Sequence, residues 1–257
     1  MDSAGPRFTL SRFVEHVRAV APVAGRAFDM DRLPDGRTTL LFRVLEEGRK
    51  GDVWVAGPQT RATFKRKTGV VRAVILQFKP GSSASLLGAA ASALTDRIVP
   101  LENIWGRSGR DLGFELLAAP SLPEVIDRIA RALAVRARET FEPASGRLAR
   151  RAVRLFERGE FRVESVAEQL GVTARHLRRA FAENVGIGPK EFARTVRLQR
   201  AVRSAATSTD WPSIAADAGY YDQAHLIGDF RQLVGLTPGA FLKRAGERGA
   251  SIDGPAA

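Results

Sequence analysis

One stretch of the second half of the chain occurs twice. GVTARHLRRAFAENVGIGPKEF, residues 171–192, is matched by GYYDQAHLIGDFRQLVGLTPGAF, residues 219–241, with an offset of 48 residues up to the glycine turn and 49 beyond it. The extra residue of the second copy falls in the turn, where an insertion costs little. Each copy has the pattern of a short helix, a turn and a second helix, a unit that presents one face of its second helix to a partner.

The second helix of the first copy carries an arginine-rich face. Thr173 and its equivalent Asp222 precede the second helices and can cap them by accepting hydrogen bonds from backbone N–H groups. Since an α-helix rotates by about 100° per residue, Leu177 and Phe181 are expected to point inward. The outward arc holds Arg175, Arg178, Arg179 and Ala182. A helix fits the major groove of B-DNA, where a guanidinium can bind a guanine edge or grip phosphate; a solvated arginine face is the alternative.

The corresponding face of the second copy is mostly uncharged. It consists of Gln223, Ala224, Ile227, Gly228 and Arg231. Gln223 could reach adenine edges, while Ala224 or Ile227 could touch a thymine methyl group. Residues 147–203 contain 14 Lys and Arg against 6 Asp and Glu, whereas acidic residues outnumber basic ones from residue 204 onward. We therefore expect the first unit to dominate the affinity for a polyanion.

A helix predicted from about residue 189 to residue 206 joins the two copies. Its inward residues are Leu198, Ala201, Val202 and Ala205, and at 1.5 Å per residue its length is roughly 25 Å. Successive major grooves on one side of DNA lie about 34 Å apart, so one chain could engage two groove segments as a dimer does. Four arginines on this helix could meet phosphates or form a solvated face: Arg194, Arg197, Arg200 and Arg203.

The first part of the chain is predicted to be rich in strands. TTLLFRV, DVWVAG and VVRAVILQF are β-branched or aromatic runs separated by turn signals such as Pro34-Asp35-Gly36. Ser121 and Glu124 have the spacing of a capping box and begin an amphipathic helix. The Pro, Gly and Ser of residues 142–147 suggest a boundary. We assign residues 1–142 to an N-terminal domain, 147–246 to a helical domain and 247–257 to a disordered tail.

Composition restricts the chemistry of the chain. There is no cysteine, so thiol catalysis and cysteine metal sites are excluded. His16 is the only histidine before residue 176, and the repeat-equivalent His176 and His225 lack partners, which favours structural roles over metal binding. We expect no catalytic residue, no metal and no cofactor. The net charge of +12 favours a polyanionic partner, and the lack of a long apolar run predicts a soluble, cytoplasmic protein without membrane contact.

The repeated segment resembles the DNA-binding domain of the AraC/XylS family of bacterial transcription regulators. SVAEQLGVTARHLRRAF is similar to the family's first helix-turn-helix unit, and SIAADAGYYDQAHLIGDFRQLVGLTPGAF to its second. The resemblance implies a partner of double-stranded DNA, with RNA polymerase as a further partner. It places Arg175, Arg178 and Arg179 on the first recognition helix and Gln223, Ala224 and Ile227 on the second. Gly228 departs from the longer polar residue common in the family, which weakens the second helix.

The first part resembles an uncharacterised domain that precedes AraC-type domains in some regulators. The similar stretches are LPDGRTTLLF, VWVAGPQT, ILQFKPGS and LTDRIVPLENIWG. The resemblance implies an α+β chain: a β-rich, cupin-like N-terminal domain with flanking helices, which senses an unidentified small-molecule effector or forms a homodimer, followed by an all-α domain. Trp54, Trp105, Phe78 and the Lys79-Pro80-Gly81 turn could line the effector pocket, although buried aromatics and an ordinary turn are the favoured explanation.

Two other functions fit parts of the sequence. The first domain could be a cupin-type enzyme that a DNA-binding tail localises, but metal cupins need clustered histidines and this domain has one. The whole chain could also be an architectural protein that binds DNA without regard to sequence. A sequence-specific regulator differs from such a protein by preferring its own site about 10³-fold or more over random DNA.

Overall fold

A computed structural model describes residues 10–21, 28–45 and 50–248. Within these ranges the first part of the chain contains seven strands and four α-helices. The strands are β1 (Val14–Val20), β2 (Phe28–Arg32), β3 (Thr39–Leu45), β4 (Gly51–Ala56), β5 (Thr63–Lys67), β6 (Val70–Phe78) and β7 (Ile98–Pro100). The helices are α1 (Ser83–Leu87), α2 (Glu102–Trp105), α3 (Arg107–Leu117) and α4 (Leu122–Glu139).

Five of the strands form one antiparallel sheet in the order β1-β6-β3-β4-β7, and β2 pairs with β5 in a separate two-stranded ribbon. Strands β3 and β6 lie in the interior of the five-stranded sheet because their side chains are almost all apolar. Leu40, Phe42 and Leu76 on these strands are buried in the core. Helices α3 and α4 pack against the sheet. The β-rich fold with flanking helices is confirmed; within the described residues the strands form an open sheet and a ribbon, not the closed barrel of a cupin.

Helix α4 begins as the sequence predicts but with half of the expected capping box. The Ser121 hydroxyl accepts a hydrogen bond of 3.4 Å from the backbone N–H of Glu124. The Glu124 carboxylate does not return the bond in this arrangement, since it accepts instead from Arg128 at 2.8 Å and Arg131 at 3.1 Å. The buried stripe of Val125, Ile129 and Leu133 joins the core beneath the sheet.

From residue 144 onward every described element is a helix, as the sequence predicts. The seven helices are α5 (Ala144–Arg158), α6 (Val163–Gln169), α7 (Ala174–Asn184), α8 (Pro189–Ser204), α9 (Trp211–Ala218), α10 (Gln223–Val234) and α11 (Pro238–Arg248). Glycines with positive φ end the helices or lie in the turns that follow them, as expected of a residue without a Cβ. No helix in the described ranges is long and apolar enough to cross a membrane.

Helix α8 divides the helical part into two cores. Its first half contributes Phe192, Ala193 and Val196 to a core formed with α5, α6 and α7. Its second half contributes Leu198, Ala201 and Val202 to a core formed with α9, α10 and α11. The predicted linking helix is therefore present, and it is part of both units rather than a bare spacer between them.

The proposed domain division remains a prediction, and its edges meet the helices at two places. Helix α5 begins at Ala144, three residues before the assigned start of the helical domain. Helix α11 extends to Arg248, so residues 247 and 248, which we assigned to the tail, are helical. Residues 249–257 lie outside the described residues.

Three hydrogen bonds are among the contacts between the first part of the chain and the helical part. Thr95 Oγ1 donates a 2.7 Å hydrogen bond to the Gly186 carbonyl after α7. On α8, Gln199 Nε2 donates a 2.7 Å bond to the Pro34 carbonyl. Next to the β2–β5 ribbon, the Ala62 N–H donates a 2.7 Å bond to the Leu233 carbonyl in α10. Because these bonds reach both helix-turn-helix cores and the helix between them, the first part bridges the whole helical part.

Candidate nucleic-acid interface

The two repeat copies fold into equivalent, capped helix-turn-helix units. Thr173 Oγ1 accepts a hydrogen bond of 3.2 Å from the backbone N–H of His176, and Asp222 Oδ1 accepts one of 2.7 Å from the backbone N–H of His225. A side-chain acceptor at this position satisfies one of the backbone N–H groups left free at a helix start. Both predicted caps are therefore present and fix the same register in α7 and α10.

Helix α7 presents its arginines to solvent. Leu177 and Phe181 are buried in the first core, while Arg175, Arg178, Arg179 and Ala182 are exposed, as the helical period predicts. Two open grooves run along this face. One, of about 590 Å³, lies between the starts of α6 and α8 and includes Arg178. The other, of about 510 Å³, lies between α5 and α7 and includes Arg175 and Arg179. The exposed face of α7 thus has a groove on each side, and arginines of α7 line both grooves.

Arg178 has an acidic neighbour. Its Nη2 atom lies 3.5 Å from Glu164 Oε1, and the two side chains are 58% and 71% exposed. An ion pair as open to water as this one contributes little stability and exchanges readily for another anion. The pair therefore leaves Arg178 available to a phosphate or a guanine edge.

The outward face of α10 is only partly as predicted. Gln223, Ala224, Gly228 and Arg231 are exposed. Ile227, however, is half-buried and packs against the second core. The helical period alone placed it outward, but it lies at the edge of the arc, close enough to the core for a large apolar side chain to fold inward. The second face therefore offers fewer apolar contacts than the sequence indicated.

The extra residue of the second copy produces a pair of tyrosines with opposite environments. Tyr220 is buried, at 5% exposure, whereas Tyr221, directly before the Asp222 cap, is 93% exposed. Burial raises the pKa of the Tyr220 hydroxyl, and the charge of Asp229 adds to the effect. Sequence reasoning did not single out Tyr221; the one available signal was the insertion itself, which lengthens the turn and frees one ring.

Three of the four arginines on α8 are engaged within the helical domain. Arg194 donates to Asp229 Oδ1 at 2.7 Å and to Gln232. The Arg197 guanidinium lies over two aromatic rings. Arg200 Nη2 donates to the Glu157 carbonyl at 2.7 Å. A freely solvated face is wrong for these three residues, because partners distant in sequence contact them and leave them only partly exposed, while phosphate contact stays a prediction; Arg203 is the one exposed member of the four.

The other candidate residues have structural surroundings. The ring of His225 stacks edge-on against Tyr220 with centroids 5.2 Å apart, and His176 is exposed. Phe78 is fully buried, and Trp105 Nε1 donates to the Leu87 carbonyl at 3.2 Å beside the Arg136 guanidinium. These contacts favour the core interpretation of the aromatics over an effector pocket. Among the described residues no three His, Cys, Asp or Glu side chains come together as metal ligands would.

The helical part is a double helix-turn-helix module. Each of its two units is capped and has an exposed second helix, and α8 joins them by contributing to both cores. Residues 166–244 match the family model described as "Helix-turn-helix domain". Residues 3–100 match a "Domain of unknown function (DUF6597)". The C-terminal part therefore contains a helix-turn-helix domain, in agreement with the sequence resemblance.

The chain is also similar to individual proteins. It is 36% identical over 83 residues to the HTH-type transcriptional regulator GlxA of Rhizobium meliloti (strain 1021), a match that covers 32% of this chain and 26% of that protein. The match thus spans about a quarter of the relative's length.

Solved structures of ToxT from Vibrio cholerae align over most of the chain. A 1.65 Å structure has a TM-score of 0.44 at 8% identity and covers 89% of this chain and 97% of that one. The complex of ToxT with (E)-4-(8-methylnaphthalen-1-yl)but-3-enoic acid has a TM-score of 0.45 at 10% identity, covering 89% and 98%.

Proposed function

We propose that the protein is a sequence-specific DNA-binding transcriptional regulator that reads two adjacent major-groove segments with α7 and α10. The observation that carries the proposal is the duplication: two units with the same caps and register, joined by a 16-residue helix about 24 Å long. A relative that is similar over 83 residues of the chain bears the name of a transcriptional regulator. Two reading helices on one chain suit two successive groove segments about 34 Å apart.

The first unit is proposed to supply most of the affinity. Arg175, Arg178 and Arg179 are exposed on α7, and Thr173 at its start can approach the DNA backbone. Arginine serves two purposes here: its planar fork reads the O6 and N7 edge of guanine, and its fixed charge releases counterions from phosphate. The basic excess of residues 147–203 supports the same division of labour.

The second unit is proposed to contribute sequence selectivity more than affinity. Gln223 and Ala224 lie at the exposed start of α10, and Arg231 is exposed further along. Ile227 is left with a smaller role, because it is half-buried. We add Tyr221 to this surface, since a fully exposed ring and hydroxyl beside the helix start is well placed to contact a sugar or a phosphate.

The first part of the chain is proposed to regulate these units, under the control of a small-molecule effector. Its hydrogen bonds to Gly186, Gln199 and Leu233 reach both units, so a conformational change in the first part would alter the positions of both units. RNA polymerase and a second copy of the chain are the further partners we propose for such a regulator. We place its action in the cytoplasm, where bacterial DNA is found, and propose no enzymatic activity.

DNA selected from a random library by the full-length protein tests the proposal. The expected result is an enriched motif of two half-sites, bound about 10³-fold or more tightly than random DNA at fixed salt. Equal affinity for both would indicate an architectural binder. Tightly bound metal, or turnover of a small molecule by the purified protein, would support the enzymatic alternative instead.

A further inference from the structure

An arginine of the linking helix lies between the two helix-turn-helix units. The Arg197 guanidinium carbon is 5.6 Å from the ring centroid of Phe161 and 5.1 Å from that of Tyr220. Phe161 precedes α6 in the first unit, and Tyr220 follows α9 in the second. One cation on α8 thus contacts an aromatic ring from each unit, at distances where the attraction between cation and ring is favourable.

The two units also touch directly at this place. A Cβ built on Gly219 would lie 2.4 Å from Cε2 of Phe161, so the ring of the first unit rests on the backbone of the second. No side chain larger than hydrogen fits between them unless the ring moves. The contact leaves little freedom for one unit to turn against the other while Phe161 stays in place.

Charged groups extend this contact to α10 on one side and to α5 on the other. Asp229 of α10 is 8% exposed; its Oδ2 atom lies 3.7 Å from Arg197 Nη2, and its Oδ1 atom lies 2.7 Å from Arg194 Nη2. On the other side, the Arg200 guanidinium lies 5.2 Å from the Phe161 centroid while it donates to the Glu157 carbonyl of α5. A continuous set of contacts therefore runs from α5 to α10 through Arg197.

We propose that Arg197 is a positioning residue that fixes the relative orientation of the two units and, through it, the spacing of half-sites that the protein accepts. The inference rests on the proposed function for its DNA consequence. One base pair of added spacing moves a half-site by about 3.4 Å and turns it by roughly 35°. A rigid pair of units cannot follow both changes, so a fixed orientation translates into a sharp preference for one spacing.

Another set of contacts could hold the units instead. The first part of the chain bonds to Gly186 in the first unit, to Gln199 on α8 and to Leu233 in the second unit. A useful experiment must separate this bridge from the Arg197 contact. Arg197→Ala removes the guanidinium from both rings, whereas Gln199→Ala removes the bond to Pro34 and leaves both rings in place.

The first experiment needs no DNA and so does not depend on the proposed function. The chain has no cysteine, so spin labels can be attached through Ala182→Cys on α7 and Ala224→Cys on α10, both exposed positions. We expect a narrow distribution of label distances in the full-length protein, a width about twofold larger with Arg197→Ala, and no change with the matched control Arg203→Ala. Arg197→Lys keeps the charge but lacks the flat guanidinium and should broaden the distribution less.

The outcomes are distinct. An unchanged distribution in a folded Arg197→Ala protein, checked by thermal unfolding, overturns the inference. Broadening by Gln199→Ala but not by Arg197→Ala overturns it as well and assigns the positioning to the first part of the chain. If Arg197→Ala does not fold, the comparison of Arg197→Lys with Arg203→Ala decides: broadening in the first alone supports the inference, and equal widths contradict it.

The second experiment measures spacing on the selected DNA. We expect wild-type affinity to fall about tenfold when one base pair is added or removed between the half-sites, and by less than about threefold with Arg197→Ala, while affinity for an isolated first half-site stays the same. A structural defect in the first unit would lower half-site binding too. If the wild type selects no motif, the proposed function fails; if Arg197→Ala retains the sharp spacing optimum, the inference alone fails.

Discussion

Arg194 of the linking helix α8 and Asp229 of α10 form a close ion pair, in which Arg194 Nη2 lies 2.7 Å from Asp229 Oδ1. Asp229 is 8% exposed and Arg194 26%. The two residues are far apart in sequence. The helical register of α10 places Asp229 on its buried side, and the arginine that neutralises it comes from α8. The pair fastens α10 to α8 at the point where the second unit meets the linking helix.

Removing this carboxylate should destabilise the fold. Asp229→Ala leaves Arg194 and Arg197 without their anion, and we expect a loss of about 2–3 kcal/mol in the free energy of unfolding, measured by urea titration. Asp127→Ala is the matched control. Asp127 also pairs with an arginine, at 3.6 Å, but is 69% exposed, so its loss should cost less than about 0.5 kcal/mol. Similar losses for the two variants would contradict the burial argument.

The equivalent glycines of the two turns should respond differently to alanine. Gly171 and Gly219 have φ values of +67° and +86°, a strained region for alanine. A Cβ on Gly171 meets nothing within 4 Å, whereas one on Gly219 meets Phe161. We expect Gly171→Ala to cost about 1–2 kcal/mol in unfolding free energy and Gly219→Ala at least about 1 kcal/mol more.

A double-mutant cycle with Phe161→Ala locates the cause of that difference. If the excess cost of Gly219→Ala arises from the ring, it should disappear when the ring is absent. An excess that persists with Phe161→Ala would instead assign the cost to the backbone of the turn.

Arg178→Ala tests base reading by the first unit. If Arg178 binds a guanine edge, the variant should lose about 1–3 kcal/mol on the selected site and lose preference at one position only. Equilibrium binding to the selected site and to each single-base variant measures this. A uniform loss on all sequences, with a smaller salt dependence, would make Arg178 a phosphate contact.

Tyr221 offers a test at the second unit that folding should not confound. The side chain is 93% exposed, so Tyr221→Ala should leave thermal unfolding unchanged while it weakens DNA binding by about three- to tenfold through the lost contact. Tyr221→Phe distinguishes the hydroxyl from the ring, since only a hydrogen bond to DNA requires the hydroxyl. Unchanged affinity in Tyr221→Ala would remove this residue from the interface.

Glu15 should make stability depend on pH. Burial raises the pKa of the Glu15 carboxyl, but the hydrogen bonds and charge of Arg37, at 2.6 and 2.8 Å, outweigh burial and leave the pKa below its ordinary 4.5. A depressed pKa means that the folded state binds this proton less readily than the unfolded state. The stabilisation by Glu15 is therefore complete above pH 4.5 and is lost as the pH falls through the folded pKa.

The comparison with Glu15→Gln isolates that contribution. Nearby Asp35 has its pKa raised by burial, which gives the opposite pH dependence, so the wild-type profile alone mixes the two signs. We expect the difference in unfolding free energy between wild type and Glu15→Gln to be constant near neutral pH and to shrink in acid. A constant difference at every pH would show that Glu15 acts by packing and not by its charge.

Local features of the candidate site were predictable because they depend on neighbours in sequence. The Thr173 and Asp222 caps follow from side-chain acceptors before an amphipathic run, and the exposure of Arg175, Arg178 and Arg179 follows from the helical period. The same period misplaced Ile227, because a periodic argument gives a direction but not the distance to the neighbouring core.

The sequence by itself determined that its second half contains two capped helix-turn-helix units of unequal charge on one linking helix, because each turn, cap and apolar stripe is specified within a few residues. Only the tertiary structure decided which arginine side chains stay exposed to solvent, where a partner can reach them. Arg197 and Arg200 have the same spacing pattern as surface arginines, yet Phe161 and Tyr220, distant in sequence, enclose Arg197, and Phe161 also lies under Arg200. Whether a long cationic side chain faces water or an aromatic ring depends on how the two units pack, and that packing is set by contacts between residues far apart in the chain.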